Sequence, residues 1–272
     1  MIVKTLMENT ARSPSLGCEH GLSLYIEALG RRILFDTGAS PLFIDNARKM
    51  EVDLSQVEFV VISHGHYDHG GGLDAFFEIN DRAEVFIHPK AFGSYYAGKK
   101  GQTRFIGIDE KLKDKKQIVF TADRFTITRG IRVFSNVEPA EPLPSSNRDL
   151  LKKEKGELVD DDFVHEQNLV IEEGQGMVLF TGCAHNGIIN IVRHFHAIKG
   201  RYPDVVIGGF HLAKNDEDRE SDEEIDRIAA LLVSTGSKYY TCHCTGLVPY
   251  GILKEKMGDR IDYLAAGDIL EI

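Results

Sequence analysis

The chain has 272 residues, a formal net charge of −10 and 42% hydrophobic residues, which is enough for a substantial buried core. The acidic balance argues against a partner that is bound mainly through a phosphate backbone, because such partners need basic protein faces. We therefore expect a small-molecule substrate and no nucleic-acid partner.

Signals for a membrane or an oxidising compartment are weak. No apolar run approaches the roughly 18 residues needed to cross a bilayer, and the N-terminus lacks the features of a signal peptide. The four cysteines are too few and too unevenly spaced for a disulfide framework: Cys18, Cys183, Cys242 and Cys244. The sequence predicts a cytoplasmic protein without membrane contact and leaves its oligomeric state open.

Short apolar runs between turn signals predict strands along most of the chain. In chain order these strands are 2–6, 22–29, 32–35, 59–62, 85–87, 118–120, 131–134, 169–171, 177–180 and 205–207. Apolar residues at helical spacing predict helices at 41–50, 73–80, 188–199 and 222–234, with Pro41 and Asp222 suited to a first turn. An early meander followed by alternating strands and helices predicts an α+β or layered α/β domain.

Two polar segments interrupt this pattern within what we expect to be a single domain, 1–272. Residues 138–166 are rich in proline, serine and charge and lack a clear period, so they predict a long surface loop or lid. The acidic run at 214–227 predicts a solvated loop and the polar start of a helix.

The densest cluster of metal-ligand side chains directly follows the strand predicted at 59–62. Within six positions stand His64, His66, Asp68 and His69, and three glycines that permit a tight turn come next. Imidazole and carboxylate groups hold zinc and similar ions, and a loop at a strand end can turn several of them into one cavity. We expect two divalent ions here, zinc first, with manganese or iron as alternatives.

This HxHxDH order resembles the signature of the metallo-β-lactamase superfamily. The resemblance covers nearly the whole chain, through "ILFDTG", "VLFTGCAHNG" and "YTCHCTG". It implies an α+β fold, a four-layer αββα sandwich of two mixed β-sheets, with metals at one sheet edge. One branch also shows stretches like "CEHGLSLYIE", "GGFHL" and "HCTG"; its members are described as metal-dependent hydrolases or as dihydropterin-methyl-aminobenzene ribofuranosyl phosphate synthases.

The resemblance also implies a set of metal ligands. His64 and His66 would bind the first metal, and Asp68 and His69 would bind the second. His243, on a loop after a late strand, would complete the second site.

The middle ligands depart from the usual pattern, because Cys183 stands where most members have an aspartate. Either His185 completes the first metal site, or His165 does so with Cys183 at the second metal. We favour His185, because His165 lies at the end of the charged loop. Thiolate is a ready zinc ligand, whereas the alternative for Cys183 is a buried, inert thiol.

Further residues are expected around the metals. Asp36 in "ILFDTG" would orient a ligand or a loop by hydrogen bonding. Its DTG triplet also resembles the aspartic protease motif, but that mechanism needs two such aspartates and the chain has one DTG. The branch resemblance makes Glu19, His20 and His211 candidates for the pocket, with surface positions as the alternative, whereas His88 is more typical of a strand end.

A second HxH pair, His194 and His196, lies within the helix predicted at 188–199. Residues two apart on a helix point roughly 200° away from each other, so the two side chains cannot share one ion. We exclude this pair as a metal site.

Three functions follow from these patterns. In a metal-dependent hydrolase, two ions would lower the pKa of a bound water towards neutrality, Asp68 would also align the attacking hydroxide, and His211 would protonate the leaving group. A synthase-like transferase would instead use the ions to hold a pyrophosphate while an aromatic amine attacks carbon. The Cys-His-Cys stretch at 242–244 would suit a non-catalytic metal-binding or redox-sensing module. We favour a hydrolase acting on a small substrate that could carry a phosphate.

Overall fold

The computed structural model describes residues 1–99, 101–215 and 217–272, so Asp216 of the acidic run lies outside the described residues. The strands are β1 (Ile2–Met7), β2 (Ser23–Ala28), β3 (Arg31–Phe35), β4 (Phe59–Ile62), β5 (Glu84–Ile87), β6 (Tyr95–Ala97), β7 (Arg104–Phe105), β8 (Ile118–Phe120), β9 (Arg124–Thr128), β10 (Ile131–Phe134), β11 (Leu150–Glu154), β12 (Glu157–Asp160), β13 (Asn168–Glu173), β14 (Gly176–Phe180), β15 (Val205–Gly208), β16 (Lys238–Thr241), β17 (Ile261–Tyr263) and β18 (Ile269–Glu271). The helices are α1 (Leu42–Lys49), α2 (Tyr67–Gly70), α3 (Leu73–Ile79), α4 (Ile188–Lys199), α5 (Asp222–Ser234) and α6 (Leu247–Met257).

Most of the strands form two mixed sheets of seven strands each. The first sheet has the order β18-β1-β2-β3-β4-β5-β8, and the second has the order β17-β16-β15-β14-β13-β10-β9. In the first sheet, β3, β4, β5 and β8 pair in parallel and the remaining pairs are antiparallel. The second sheet likewise combines parallel pairs from β14 to β17 with antiparallel pairs from β9 to β14.

Alternation along the strands divides the apolar side chains between the two faces of each sheet. In β3, Ile33 and Phe35 lie in the core between the two sheets, whereas Leu34 faces a second core under the helices. In β14, Phe180 joins the core between the sheets, and its neighbour Leu179 packs on the opposite face. Each sheet is therefore apolar on both faces, which requires a covering layer outside each one.

Helices supply these outer layers. Helices α1 and α3 cover the first sheet through a core that includes Phe43 and Phe76. Helices α4, α5 and α6 cover the second sheet through a core that includes Phe195, Leu232 and Leu253. The four layers confirm the predicted αββα sandwich. Within the described ranges, every helix is too short or too polar to span a bilayer.

Most sequence-predicted elements appear within two residues of their predicted bounds. The predictions 59–62, 118–120, 131–134, 188–199 and 222–234 match the observed limits. Pro41 caps α1 from the position before the helix rather than lying in its first turn. Asp222 begins α5, where the hydroxyl of Ser221 accepts a hydrogen bond from the Glu224 amide.

The segment 138–166, expected to be an irregular loop or lid, contains the hairpin β11–β12. This hairpin pairs with β6 and β7 in a small third sheet of order β12-β11-β6-β7. Its strands, "LLKKE" and "ELVD", are largely polar and show no sustained alternation, so the sequence carried little signal for them. These segments are strands because β11 pairs with β12 and with the distant strand β6, and the second pairing is a tertiary interaction.

Helix α6 was also not predicted. Its sequence "LVPYGILKEKM" contains a proline and a glycine, both of which weaken a helical pattern. The buried residues Pro249, Leu253 and Met257 are spaced four apart, and Leu253 and Met257 belong to the core that covers the second sheet. Packing rather than intrinsic propensity therefore decides this helix.

Candidate metal centre

The chemically active side chains lie on loops at the carboxyl ends of parallel strands, at one edge of the sandwich. His64 follows β4, the segment Thr181–His185 follows β14, His211 lies shortly after β15, and His243 follows β16. Since parallel strands end at the same edge of their sheet, loops from both sheets meet there. Residues that are as far apart in the sequence as His64 and His243 thereby become neighbours in space.

The first donor group consists of His64, His66 and His185, all of which are buried. The Nε2 atoms of His64 and His185 lie 3.3 Å apart. The ring of His66 lies 4.7 Å from that of His64 and 4.9 Å from that of His185, measured between centroids. The three rings are therefore neighbours, and the ligand atoms of His64 and His185 also lie within 4.8 Å of the Cys183 sulfur, whereas those of His66 group with Asp161 and His165.

The second donor group consists of Asp68, His69 and His243, also buried. Oδ2 of Asp68 lies 3.3 Å from Nε2 of His243 and 3.5 Å from Nε2 of His69. The two Nε2 atoms are 3.2 Å apart. A carboxylate oxygen and two imidazole nitrogens thus point into one small space.

Hydrogen bonds fix which ring nitrogens carry protons in the second donor group. Nδ1 of His69 lies 2.6 Å from Oδ2 of Asp36, and Nδ1 of His243 lies 2.8 Å from Oδ1 of Asn9. That amide oxygen also accepts a hydrogen bond from the Gly21 amide, which sets the orientation of the Asn9 side chain. Both Nδ1 atoms therefore donate, which leaves the two Nε2 atoms, 3.2 Å apart, as the positions that an ion would share.

The first donor group is arranged in the same way. Nδ1 of His185 donates to Oδ1 of Asn147 at 2.8 Å, and the amide nitrogen of Asn147 donates to the His185 carbonyl. Oγ of Ser63 donates to Asp36, so it accepts from Nδ1 of His64 at 2.9 Å. Two unprotonated Nε2 atoms again face each other, and the nearby Nε2 of His66 is buried without a hydrogen-bond partner.

These donor sets fit divalent cations. Opposed lone pairs at 3.2 and 3.3 Å cannot form hydrogen bonds in the neutral state, whereas a cation between them would satisfy both nitrogens. Three imidazoles on one side, and a carboxylate with two imidazoles on the other, are donor sets that zinc accepts. Manganese and iron bind the same N and O donors.

The surroundings favour the protonation states that metal binding requires at His64, His185 and Asp68. At His69 burial lowers the pKa, but Asp36 and Asp68 outweigh it and raise that pKa, so this ring would lose a proton more readily to an ion than to water. Burial, reinforced by neighbouring histidines, lowers the pKa of His64 and His185 well below the ordinary histidine value. Burial by itself raises the pKa of Asp68, but His69, His20 and His243 outweigh it and hold that pKa well below the ordinary range. Neutral imidazoles and an ionised carboxylate are the forms that coordinate a metal.

Asp36 lies where the sequence analysis expected a residue that orients the ligands. Its carboxylate accepts hydrogen bonds from the Ser63 amide, the Ser63 hydroxyl and the His69 ring at 2.6 to 2.7 Å. It contacts His69 directly and reaches His64 through Ser63, so one buried carboxylate orients a histidine in each donor group.

The two alternatives for the middle ligands differ in their contacts. Both ring nitrogens of His165 are engaged, one by the Gly65 amide at 3.0 Å and the other by Asp161 at 3.1 Å. His165 therefore has no free nitrogen for an ion, whereas His185 has one. The Cys183 sulfur lies 3.1 Å from Nε2 of His69 and within 4.8 Å of donor atoms in both groups.

Several supporting residues were not found by sequence reasoning. Oε1 of Glu8 accepts a hydrogen bond from the His243 amide, and Oε1 of Glu166 accepts one from the His185 amide, both at 2.6 Å. Asp161 accepts from His165 and lies 3.7 Å from Nε2 of His66. Acidic residues are usually solvated, so these three carried no sequence signal that distinguishes them from surface acids.

A cavity of about 370 Å³ opens onto both donor groups. His20 lines it, with Nε2 3.3 Å from Oδ2 of Asp68, and so does His211, which is 8% exposed. Arg104, Arg148 and Lys214 lie at its rim. They come from three separate segments, and without the fold no pattern brings them together.

Glu19 does not line this cavity within the described residues. Its carboxylate accepts hydrogen bonds from the Ala39 and Ser40 amides and from the Ser40 hydroxyl, so it holds the turn after Asp36. This differs from the expectation of a pocket residue, because those hydrogen bonds hold the carboxylate at the turn after Asp36.

The remaining histidines lie away from the two donor groups. His88 follows β5 and accepts a hydrogen bond from the Lys90 amide, as a residue at a strand end. His194 and His196 lie on α4, where the first stacks on Phe134 and the second contacts the Tyr202 ring at a tilt of 35°. The helix predicted for this excluded pair is confirmed.

Comparisons with known proteins find similar chains of about the same length. In Methanocaldococcus jannaschii, a 7,8-dihydropterin-6-methyl-4-(β-D-ribofuranosyl)-aminobenzene-5′-phosphate synthase is 30% identical over 93% of this chain and 90% of its own. An uncharacterised protein of that organism is 33% identical over 90% and 91% of the two chains. A solved structure described as a metal-dependent hydrolase of the β-lactamase superfamily shares 31% identity, covers 100% of this chain and 99% of its own, and superposes with a TM-score of 0.86.

The family comparison matches the same part of the chain that carries the donor groups. The model of the metallo-β-lactamase superfamily matches residues 16–243, which include every member of both groups. Together with the αββα sandwich and the full-length relatives, this match shows that the chain belongs to the metallo-β-lactamase superfamily.

Proposed function

We propose that this protein is a metal-dependent hydrolase that uses two divalent ions, zinc in the first instance, on a small phosphorylated substrate. The observation that carries the proposal is the pair of opposed Nε2 atoms in each donor group, 3.2 and 3.3 Å apart, beside an open cavity. An open cavity beside the donors also favours an enzyme over a module that only stores or senses metal.

In this proposal His64, His66 and His185 hold the first ion, and Asp68, His69 and His243 hold the second. The engaged ring nitrogens of His165 argue against the alternative in which it replaces His185. Cys183, 3.1 Å from His69, is an additional ligand candidate.

When bound, the ions would lower the pKa of a water and polarise an oxygen of the substrate. Asp68 would align that water, because its Oδ2 atom is held 3.3 Å from Nε2 of His20 and 3.3 Å from Nε2 of His243. His211 would protonate the leaving group, because it lines the cavity and neither of its ring nitrogens has a hydrogen-bond partner in the described part of the chain.

The rim cations support an anionic substrate. Arg104 lies over the Tyr67 ring, and among the described residues neither Arg104 nor Arg148 forms an ion pair with a carboxylate. Lys214 approaches Asp149 and Asp218 and donates to the Arg148 carbonyl at 2.5 Å. Guanidinium groups without partners at the mouth of a cavity in an acidic protein favour a phosphate or a similar anion.

A second candidate is a transferase of the synthase type. The observation that favours it is the synthase from M. jannaschii, which is 30% identical and aligns over nine-tenths of both chains. In that reaction class, the ions and rim cations would hold a pyrophosphate leaving group while an amine takes the place of water. The same donors and the same cavity would serve both reactions.

One experiment tests both candidates. The metal-loaded protein is incubated with dihydropterin pyrophosphate, with and without an aminobenzene acceptor, and pyrophosphate and condensed product are quantified. Release that needs no acceptor supports the hydrolase, and condensed product without bulk hydrolysis supports the transferase. No turnover of this substrate or of a panel of small phosphoesters would contradict the proposal.

A matched pair of variants tests the role of the rim. With whichever substrate turns over, R148Q is expected to raise KM by about 10-fold, because a charge-assisted contact to the anion is lost. The control R129Q changes an exposed arginine that does not line the cavity and should leave KM unchanged. Equal KM values for the two variants would show that Arg148 does not contact the substrate.

A further inference from the structure

The Cys-His-Cys stretch after β16 directs its three side chains to three different places. Cys242 is buried in the core between the two sheets. His243 belongs to the second donor group, and Cys244 instead lines the cavity. The proposed dinuclear centre gives no role to Cys244.

Cys244 belongs to a third donor group, formed with Cys183 and His211. One donor atom of each residue lies within 4.8 Å of the other two. All three residues are buried, with exposed fractions of 2% for Cys183, 8% for His211 and 5% for Cys244. Two sulfur atoms and an imidazole nitrogen at this separation have the dimensions of a single coordination sphere.

The imidazole of His211 lacks hydrogen-bond partners among the described residues. Both ring nitrogens are inaccessible to solvent, and neither has a hydrogen-bond partner. The residue has a positive φ of 51°, and the Ser146 hydroxyl donates to its carbonyl. Buried ring nitrogens are normally hydrogen-bonded, and a positive φ costs energy in a histidine. Both features indicate that the imidazole of His211 binds a ligand other than a protein group.

The backbone leaves room for the Cys244 sulfur. A Cβ atom at Gly209 would lie 2.5 Å from Sγ of Cys244, so any larger residue at 209 would displace the sulfur. The sulfur also lies 3.5 Å from the Cys183 carbonyl oxygen. Its position is therefore defined by the loop after β15 and by the loop after β14.

We propose that Cys183, His211 and Cys244 form a third, sulfur-rich metal position that takes zinc or a softer divalent cation. Two thiolates and an imidazole select such ions over magnesium or calcium, and binding would release to solvent any proton that the two sulfur atoms still carry. An ion here would occupy a ring nitrogen of His211. While that ion is bound, the nitrogen could not protonate a leaving group, so the third position would hold His211 back from the role proposed for it above. Cys183 also lies within 4.8 Å of donor atoms in both other groups, so it is the one residue that the third position would share with them, whereas His211 and Cys244 belong to the third position alone.

The test uses metal-free protein titrated with Co²⁺, whose bonds to thiolate give a charge-transfer absorption. Bound cobalt per chain and the intensity of this absorption are measured for the wild type, C244S, H211Q and C242S. The wild type should bind about three ions, and C244S about two, and the thiolate absorption that belongs to the third ion should be lost with it. C242S, which changes a core cysteine of the same stretch, should match the wild type.

H211Q keeps both thiols and is expected to weaken the third ion by at least about 10-fold, which provides a second measure should C244S fold poorly. A wild type that binds about one ion, lost in C244S, would uphold this position and overturn the dinuclear centre instead. Unchanged ion number and absorption in both C244S and H211Q would overturn the third position. So would a wild type whose Cys183 and Cys244 form a disulfide under reducing titration conditions.

Discussion

Single hydrogen bonds decide the chemistry of the proposed centre. An imidazole can coordinate an ion only through an unprotonated nitrogen, so the partner of its other nitrogen determines whether it is a ligand. His69, His185 and His243 each donate from Nδ1 to a side-chain oxygen, whereas His165 has both nitrogens engaged. The hydrogen-bond partners of each ring therefore distinguish a histidine that could coordinate an ion from one that only supports the site.

Asp36 offers the sharpest test at this scale. In D36N an amide replaces the carboxylate that accepts from His69 and Ser63, so the protonated nitrogen of His69 is no longer fixed at Nδ1. Asparagine also tolerates the positive φ of 61° at this position, so the backbone is spared. We expect metal affinity to fall by about 10- to 100-fold, measured by competition with a chromophoric chelator.

The matched control for this prediction is D45N. Asp45 is an exposed residue on α1 that pairs with Arg48, so this variant removes the same charge from the surface. Affinities of D36N and D45N that agree within error would show that Asp36 does not orient the ligands.

At the scale of elements, the sandwich places the donors on irregular loops that are held by specific contacts. Asp36, Ala184, His211 and His243 all have a positive φ, and each lies just after a strand. Such conformations cost energy in non-glycine residues and persist where the surroundings fix them. The buried Glu8 and Glu166 provide part of that fixation through the amides of His243 and His185.

His88 caps the short 3₁₀ turn Pro89–Phe92 after β5 and makes its stability depend on pH. Burial, followed by the charges of His165 and Lys90, lowers the pKa of His88 from 6.5 to about 4. As pH falls, the unfolded chain therefore takes up this proton first, so stability present above about pH 6.5 is lost progressively towards pH 4. The loss attributable to this histidine is on the order of 2 kcal/mol.

This prediction is checked by urea unfolding of metal-free protein at several pH values across that window. H88N keeps a side-chain acceptor for the Lys90 amide but does not titrate, so its unfolding free energy should fall less than that of the wild type. H196N, at an exposed position on α4, is the control and should follow the wild type. A full wild-type slope in H88N would refute the assignment to His88.

At the scale of the whole molecule, the two sheets and their loops contribute to one centre. His64, His66, Asp68 and His69 follow the first sheet, whereas His185 and His243 follow strands of the second. An ion in either donor group would therefore connect the two sheets across their common edge. Its binding energy would add directly to folding stability, since the unfolded chain lacks the site.

Metal removal should consequently destabilise the whole fold. At free metal about 1,000-fold above the dissociation constant, each ion contributes about 4 kcal/mol, so chelation should lower the unfolding free energy by that amount or more. Thermal or urea unfolding with and without chelator measures the difference, and added zinc should restore it. The H194N/H196N double variant, which alters the excluded HxH pair, should respond like the wild type. An unfolding curve that chelation leaves unchanged would contradict binding at both groups.

The sequence by itself determined most of the strands and helices and an α+β or layered α/β class, because burial acts on a local apolar pattern that the chain displays directly. The four-layer sandwich was what the resemblance to the metallo-β-lactamase superfamily implied. The cluster at 64–69 was visible because its members are consecutive, and the resemblance it carried supplied His185 and His243.

Only the tertiary structure decided how those donors are supported and what surrounds them. The roles of Glu8, Asp161 and Glu166, the engagement of His165, and the approach of Cys244 to Cys183 and His211 each depend on segments far apart in the chain. The hairpin β11–β12 and helix α6 are likewise defined by their packing partners. The physical reason is that hydrogen bonds and coordination act over a few ångströms, and distances of that size between distant segments exist only in the folded chain.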